Sequence, residues 1–134
     1  MVETKQRKIP FSPNNPESLP FWTAAAVGKF IVRKCVSCQK VHWYPRAICP
    51  FCFSDKTEWV PVSGRGKIYS FSVMRRAPEP YAIAYVTLEE GATMLTNIVD
   101  YDFNALKIGQ EVKIAFKPSE GAFPVPMFTP VTSA

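Results

Sequence analysis

Two residues separate Cys35 from Cys38, two separate Cys49 from Cys52, and ten lie between the pairs. Each C-x-x-C is short enough to fold as one tight turn. Together they bring four thiolates to one point, the ligand set of a tetrahedral site with metal–sulfur distances of about 2.3 Å. Two local disulfides or a thioredoxin-like redox pair would use the same residues. A C-x-x-C disulfide, however, closes too short a loop to add much stability, and a redox motif needs a single pair at the head of a helix in a βαβ setting. The matched spacing therefore predicts a metal site at Cys35, Cys38, Cys49 and Cys52, with Zn2+ the leading occupant. Iron fits the same sulfurs, since thiolates alone do not select the metal.

The rest of the chain is poor in reacting groups. Once the sulfurs hold a metal no cysteine remains as a nucleophile, no G-x-S-x-G elbow occurs, and His42 is the only histidine, so imidazole catalysis would have to use it. His42 lies between the cysteine pairs and is a fifth candidate ligand; with four thiolates in place it reads instead as a residue at the surface or behind the ligands. Glu89 and Glu90 are neighbours on an expected strand, which points them to opposite faces and prevents an acid/base pair. Asp100 and Asp102, beside Tyr101, Phe103 and Asn104, read as turn formers. Gly64-Arg65-Gly66 lacks the helix and further glycines of a phosphate loop. The chain is expected to carry no catalytic centre of its own.

These residues must be held by a chain of 134, one domain or one domain with an appendage, whose 47% apolar and 20% charged composition supports a real core. Sixteen basic against eleven acidic residues give a formal charge of +5. Four thiolates and one divalent cation subtract two charges, leaving about +3, a modest excess that argues against nucleic acid as the main partner. No apolar run approaches the roughly 18 residues of a membrane span, and no signal-peptide core follows the charged stretch from Met1 to Ile9; a cytoplasmic protein is expected. Thirteen prolines against six glycines predict short elements, because proline is excluded from helix interiors and central strands.

Between Asn14 and Phe30, Asn15 or Ser18 caps a short helix ending near Gly28, with Phe21, Trp22, Ala25 and Ala26 on one face. That face either covers its own domain or presents Phe21 and Trp22 to a partner. Phe30–Lys34 and Val41–Tyr44 lead into and out of the first cysteine turn as a ribbon hairpin. The pattern then has period two: Thr57–Val62, Gly66–Ala77, Tyr81–Leu88, Thr93–Val99, Glu111–Lys117 and Met127–Val131. Five or six such antiparallel strands predict a small closed barrel of OB type, with an SH3-like barrel or open sandwich as the other solutions. The fold class is mainly β, with an N-terminal helix in residues 1–30, a four-cysteine rubredoxin-like zinc ribbon in 31–60 and an OB-fold barrel in 61–134.

In chain order, Pro20-Phe21-Trp22, Cys35-Val36-Ser37-Cys38, Tyr44-Pro45-Arg46, Cys49-Pro50-Phe51-Cys52, Trp59, Ser63-Gly64-Arg65-Gly66-Lys67-Ile68-Tyr69-Ser70, Val86-Thr87-Leu88-Glu89-Glu90-Gly91 and Ile108-Gly109-Gln110-Glu111-Val112 are together similar to the small zinc-ribbon OB-fold proteins associated with acyl-CoA metabolism. Gln39 departs from the pattern, since many members carry glycine after the second cysteine. The resemblance implies a subunit without chemistry of its own, a partner of thiolases, related acyltransferases or MaoC-like enoyl-CoA hydratases that helps enclose the CoA tail. Arg65, Lys67, Arg75 and Arg76 are then candidates for the CoA phosphates, or else ordinary solubilising charges. Phe21, Trp22, His42, Trp43 and Tyr44 are candidate partner contacts, since aromatic anchors dominate interface energetics. Two other readings use the same chain: single-stranded nucleic acid stacked on Tyr69, Phe71 and Tyr85, and an electron carrier with iron at the four sulfurs.

Overall fold

The computed structural model of the chain describes Ile9, residues 16–121 and residues 123–131. Helix α1 (Leu19–Ala25) follows a 3-10 turn at Pro16–Ser18 and carries Pro20 in its first turn, where a missing N–H breaks no helical bond. Ser18 stands at the N-cap but makes no capping bond with its side chain and is buried; Asn15, the other expected cap, lies outside the described residues. The regular helix stops at Ala25, and the closing turn runs on to Gly28, as expected. With φ 79° at Gly28, the N–H of Lys29 reaches the Ala24 carbonyl at 3.0 Å and that of Gly28 reaches Ala25 at 2.9 Å, a closure that needs a left-handed residue.

Three strands form the ribbon sheet in the order β2-β1-β3: β1 (Ile31–Cys35), β2 (Val41–His42) and β3 (Thr57–Pro61). The first of the six period-two runs therefore belongs to the ribbon. It pairs with β1 from Ile31↔Pro61 to Cys35↔Thr57, and the Arg33 guanidinium sits 4.8 Å from the ring centre of Trp59 opposite it. Pro61, unable to donate to a ladder, ends this edge strand.

The remaining five strands close a barrel in the order β4-β5-β6-β8-β7: β4 (Arg65–Met74), β5 (Tyr81–Leu88), β6 (Thr93–Ile98), β7 (Glu111–Lys117) and β8 (Val125–Pro130). This is an OB barrel. One seam departs from the antiparallel expectation: β6 and β8 run parallel and share the register pair Ile98↔Phe128. Pro126 and Pro130 have no N–H to offer there, and the buried Thr96 hydroxyl spans the seam by donating to the Pro126 carbonyl at 3.0 Å. A bulge between Ile68 and Ser70 inserts Tyr69 and sets Phe71 opposite Ala84. At the barrel mouth β4 and β5 approach so closely that a Cβ on Gly66 would stand 2.6 Å from the Thr87 carbonyl oxygen.

Ile68, Val86, Leu88, Met94, Ile98, Val112 and Phe128 belong to the barrel's share of the buried core. One ring joins it to the rest. The centre of Phe30 lies 6.1 Å from Phe21 on α1, 6.4 Å from Trp43 after β2, 6.1 Å from Phe116 on β7 and 6.3 Å from Phe128 on β8. Helix, ribbon and barrel share one aromatic core.

Candidate metal centre and its surroundings

β1 delivers Cys35 into the first knuckle, and the chain returns through Pro45 to start the second at Cys49. The sulfurs of Cys35 and Cys52 are 3.5 Å apart, those of Cys38 and Cys49 are 3.7 Å apart, and all four lie within 4.8 Å of one another. A tetrahedron with 2.3 Å bonds has edges of about 3.8 Å, so the thiols stand at the spacing a four-coordinate divalent metal requires.

The knuckles are built alike. Gln39 N–H donates to the Cys35 carbonyl and Phe53 N–H to the Cys49 carbonyl, while Cys35 N–H reaches Lys40 and Cys49 N–H reaches Ser54, all at 2.9 Å. Gln39 and Phe53, each directly after a second cysteine, have φ of 66° and 64°. That left-handed position explains the glycine expected at Gln39; here the glutamine keeps the turn and its Nε2 donates to the Val36 carbonyl at 2.6 Å. Between the knuckles the hydroxyls of Ser37 and Ser54 meet at 2.9 Å.

Amide hydrogens favour thiolate over thiol. Those of Cys38 and Phe51 point at the sulfurs of Cys35 and Cys49, both at 3.4 Å. The Cys38 amide pulls Cys35 down to about 6 against the effect of burial. Burial raises Cys49, and the amides of Cys52 and Phe51 more than offset it. Cys52 has the Ser54 amide in its favour, yet sharing a hydrogen with the Cys35 sulfur pushes it up to about 11. Cys35 thus gives up its proton more readily than Cys52, and a cation that must displace the Cys52 proton is held less tightly as pH falls.

His42 is not part of the sulfur cluster. Contrary to a surface position, it is 2% exposed: pairing with Arg33 sets it in the sheet, its Nε2 accepts the Arg46 N–H at 3.3 Å, and its Nδ1 is buried with no partner. Burial, and then the charges of Arg33 and Arg46, hold the imidazole below its usual range.

The expected partner contacts are mostly interior. Phe21 and Trp22 are 0% and 8% exposed because the aromatic face of α1 finds its apolar counterpart within the chain. Trp43 packs 4.8 Å from Phe21, and half-buried Tyr44 lies under the Arg46 guanidinium at 5.4 Å. Large apolar side chains reach solvent elsewhere, at Val36, Ile48, Phe51 and Phe53 around the knuckles and at Tyr69, Tyr85 and Leu95 outside the barrel. Turns have no periodicity to betray them; the usable signal was an apolar residue inside a metal-binding turn.

The candidate phosphate ligands separate. Arg65 and Lys67 begin β4, whereas Arg75 and Arg76 follow its end, about 25 Å away at the usual strand rise, so the four do not form one anion site. Arg65 and Lys67 border an open cavity of about 260 Å³ with Thr87, Leu88, Glu89 and Glu111. Glu89 and Glu90 lie past the end of β5, so strand alternation does not divide them: both converge on Ser63, Glu90 accepting from its N–H at 3.0 Å and Glu89 from its hydroxyl at 3.1 Å. Asp102 caps a 3-10 turn by accepting from Asn104 N–H at 3.0 Å, and Asp100 pairs with Lys117.

A four-thiol ribbon packed through a shared core onto a five-stranded OB barrel defines a zinc-ribbon/OB protein. Residues 22–58 match the family described as ChsH2, rubredoxin-like zinc ribbon domain, and residues 59–117 match ChsH2, C-terminal OB-fold domain. The chain belongs to this ChsH2-type ribbon and OB-fold family. A DUF35 domain-containing scaffold protein of Methanothermobacter thermautotrophicus is 40% identical over 63% of this chain and 68% of its own length. The benzoylsuccinyl-CoA thiolase subunit BbsA of Geobacter metallireducens is 29% identical over 63% of this chain and 60% of its own. A probable enoyl-CoA hydratase alpha subunit of Thermomonospora curvata is 29% identical over 82% of this chain, which spans only 36% of that protein. Among solved structures, the Ltp2-ChsH2(DUF35) aldolase superposes with a TM-score of 0.79 at 26% identity, covering 90% of this chain and 98% of that one. No helix among the described residues is long and apolar enough to cross a membrane.

Proposed function

We propose that this chain is a non-catalytic subunit of a thiolase-type acyl-CoA enzyme, with structural Zn2+ in its ribbon and a barrel that helps enclose CoA. One observation carries the reading: the four sulfurs converge on a single cluster and the only imidazole is buried, with one nitrogen occupied and the other facing no partner. Among the described residues no thiol outside the cluster and no imidazole stands in a cleft where a thioester could reach it, and the carboxylates that border the open cavity, Glu89 and Glu111, have no cysteine or histidine beside them. The relatives that are scaffolds or thiolase subunits support the same role.

With Phe21, Trp22 and His42 inside the chain, the contact surface shifts to the knuckles, where Phe51 lies beneath Lys40 at 5.1 Å and Phe53 is open to solvent. A second reading, partner of a MaoC-like enoyl-CoA hydratase, is favoured by the longer stretch of chain, 116 against 89 residues, that aligns with the hydratase subunit. Co-expression with a thiolase-fold subunit and, separately, with a hydratase subunit separates the two. The expected result is a stable complex with the first, its turnover raised by this chain. Turnover of β-ketoacyl-CoA or enoyl-CoA by the isolated metal-loaded chain overturns the reading.

The ribbon metal has its own test. Cys49→Ser removes one of four ligands, so the ion is expected to be lost and the ribbon to unfold, because binding free energy in such sites is folding free energy. Elemental analysis checks this: about one equivalent of zinc in the parent, little in the variant, and iron in place of zinc if the sulfurs select it.

A further inference from the structure

We propose that the outer face of β4, β5 and β6 is a platform for the adenosine 3′-phosphate 5′-diphosphate end of CoA; this rests on the acyl-CoA reading above and assigns residues to it. Strand register builds the face in rows. Tyr85 lies opposite Ser70 on β4 and Leu95 on β6, and the bulge adds Tyr69 beside Ser70. Tyr69 and Tyr85 are 69% and 48% exposed, and among the described residues neither side chain makes a hydrogen bond or ring contact. Two such exposed rings on neighbouring strands offer a planar base a stacking surface.

The next row is Lys67, Thr87 and Thr93, with the threonine hydroxyls 3.0 Å apart, and Arg65 lies beyond it. Along the strand Lys67 is about 7 Å and Arg65 about 13 Å from Tyr69, a span comparable to that from a base to its own phosphates. The cavity opens beside them, and neither cation makes an ion pair among the described residues. Three carboxylates are near: Glu111 pairs across from Lys67, and Glu89 and Glu90, their oxygens engaged by the Ser63 hydroxyl and N–H, lie on the Arg65 side. Lys113 opposite Arg65 adds a third cation, so the group balances in charge while Arg65 and Lys67 keep their own donors for a phosphate. A single nucleotide fits this face better than a strand. Towards the far end of β4 the row of Ser72, Ile83 and Asn97 has neither ring nor charge to carry further nucleotides.

The test titrates the full metal-loaded chain with adenosine 3′,5′-bisphosphate, CoA and dephospho-CoA by calorimetry and NMR. Saturable binding of the first two and weaker binding of the third are expected. Tyr85→Ala and Lys67→Glu should each reduce affinity roughly tenfold or more, Tyr85→Phe should retain it, and the double variant Arg75→Glu/Arg76→Glu should leave it unchanged. No saturation at millimolar nucleotide, or unchanged affinity in both Tyr85→Ala and Lys67→Glu, overturns the platform. A single-stranded oligonucleotide that binds more tightly than CoA and is lost in the Arg75→Glu/Arg76→Glu variant also overturns it, in favour of a strand. Assembly with the acyl-CoA enzyme is scored separately: Tyr85→Ala and Lys67→Glu chains that still assemble but both leave nucleotide binding unaltered sink the platform alone, whereas a parent chain that never assembles sinks the subunit reading.

Discussion

Phe53 holds a left-handed backbone, φ 64°, with its side chain 78% exposed, so it bears the strain of a non-glycine residue there and loses little if truncated. Phe53→Gly is expected to stabilise the loaded ribbon by roughly 1 kcal/mol, read as a higher thermal midpoint. Gln39→Gly relieves the same strain but forfeits the bond to the Val36 carbonyl, so it should gain less; an equal gain would show that the side-chain bond contributes nothing. His42 carries a pH prediction. Its folded pKa lies below the unfolded 6.5, so the unfolded chain binds the proton first. Stability is therefore full above that value and is lost as pH falls through the depressed folded one. Thiolate protonation adds its own loss, so the discriminating measurement compares denaturation midpoints of parent and His42→Gln across that range, and the variant is expected to show the shallower decline.

Between β4 and β5 the controlling feature is a missing side chain. Gly66→Ala drives a Cβ against the Thr87 carbonyl oxygen and to within 2.9 Å of Val86. The neighbour is backbone and cannot yield, so a loss of about 2 kcal/mol or more is expected, measured by urea denaturation. The barrel strands were largely legible because their period-two pattern survives wherever one face is buried: Tyr81–Leu88 and Glu111–Lys117 match the sequence reading end to end. Alternation does not say which sheet a strand joins, so Thr57–Pro61 was equally at home in ribbon or barrel until its pairing with β1 appeared. It also fails once a strand has ended, which is why Glu89 and Glu90 meet on one serine. Cysteine spacing made the metal site legible, since two knuckles carry their geometry locally. The aromatic contacts were not, because Phe21 and Trp22 read the same whether the ring opposite is their own chain's Phe30 or another protein's.

At the scale of the molecule, helix, ribbon and barrel are one cooperative unit to the extent that Phe30 holds them. Phe30→Ala empties a site bordered by Phe21, Trp43, Phe116 and Phe128, with an expected cost of about 3–5 kcal/mol. Its signature is specific: the variant should uncouple the parts, so that a chelator which lowers the barrel's melting temperature in the parent lowers it far less in Phe30→Ala, as followed by barrel amide exchange. Barrel amides indifferent to chelation in the parent would mean that ribbon and barrel melt independently. The same ring has a consequence for supply. An ion bound by the folded state alone shifts the folding equilibrium of everything packed with its site, and here that includes a barrel with no ligand to the ion. The fraction of folded chains then follows the free metal concentration, making the ribbon a gauge through which metal scarcity withdraws helix, ribbon and barrel at once.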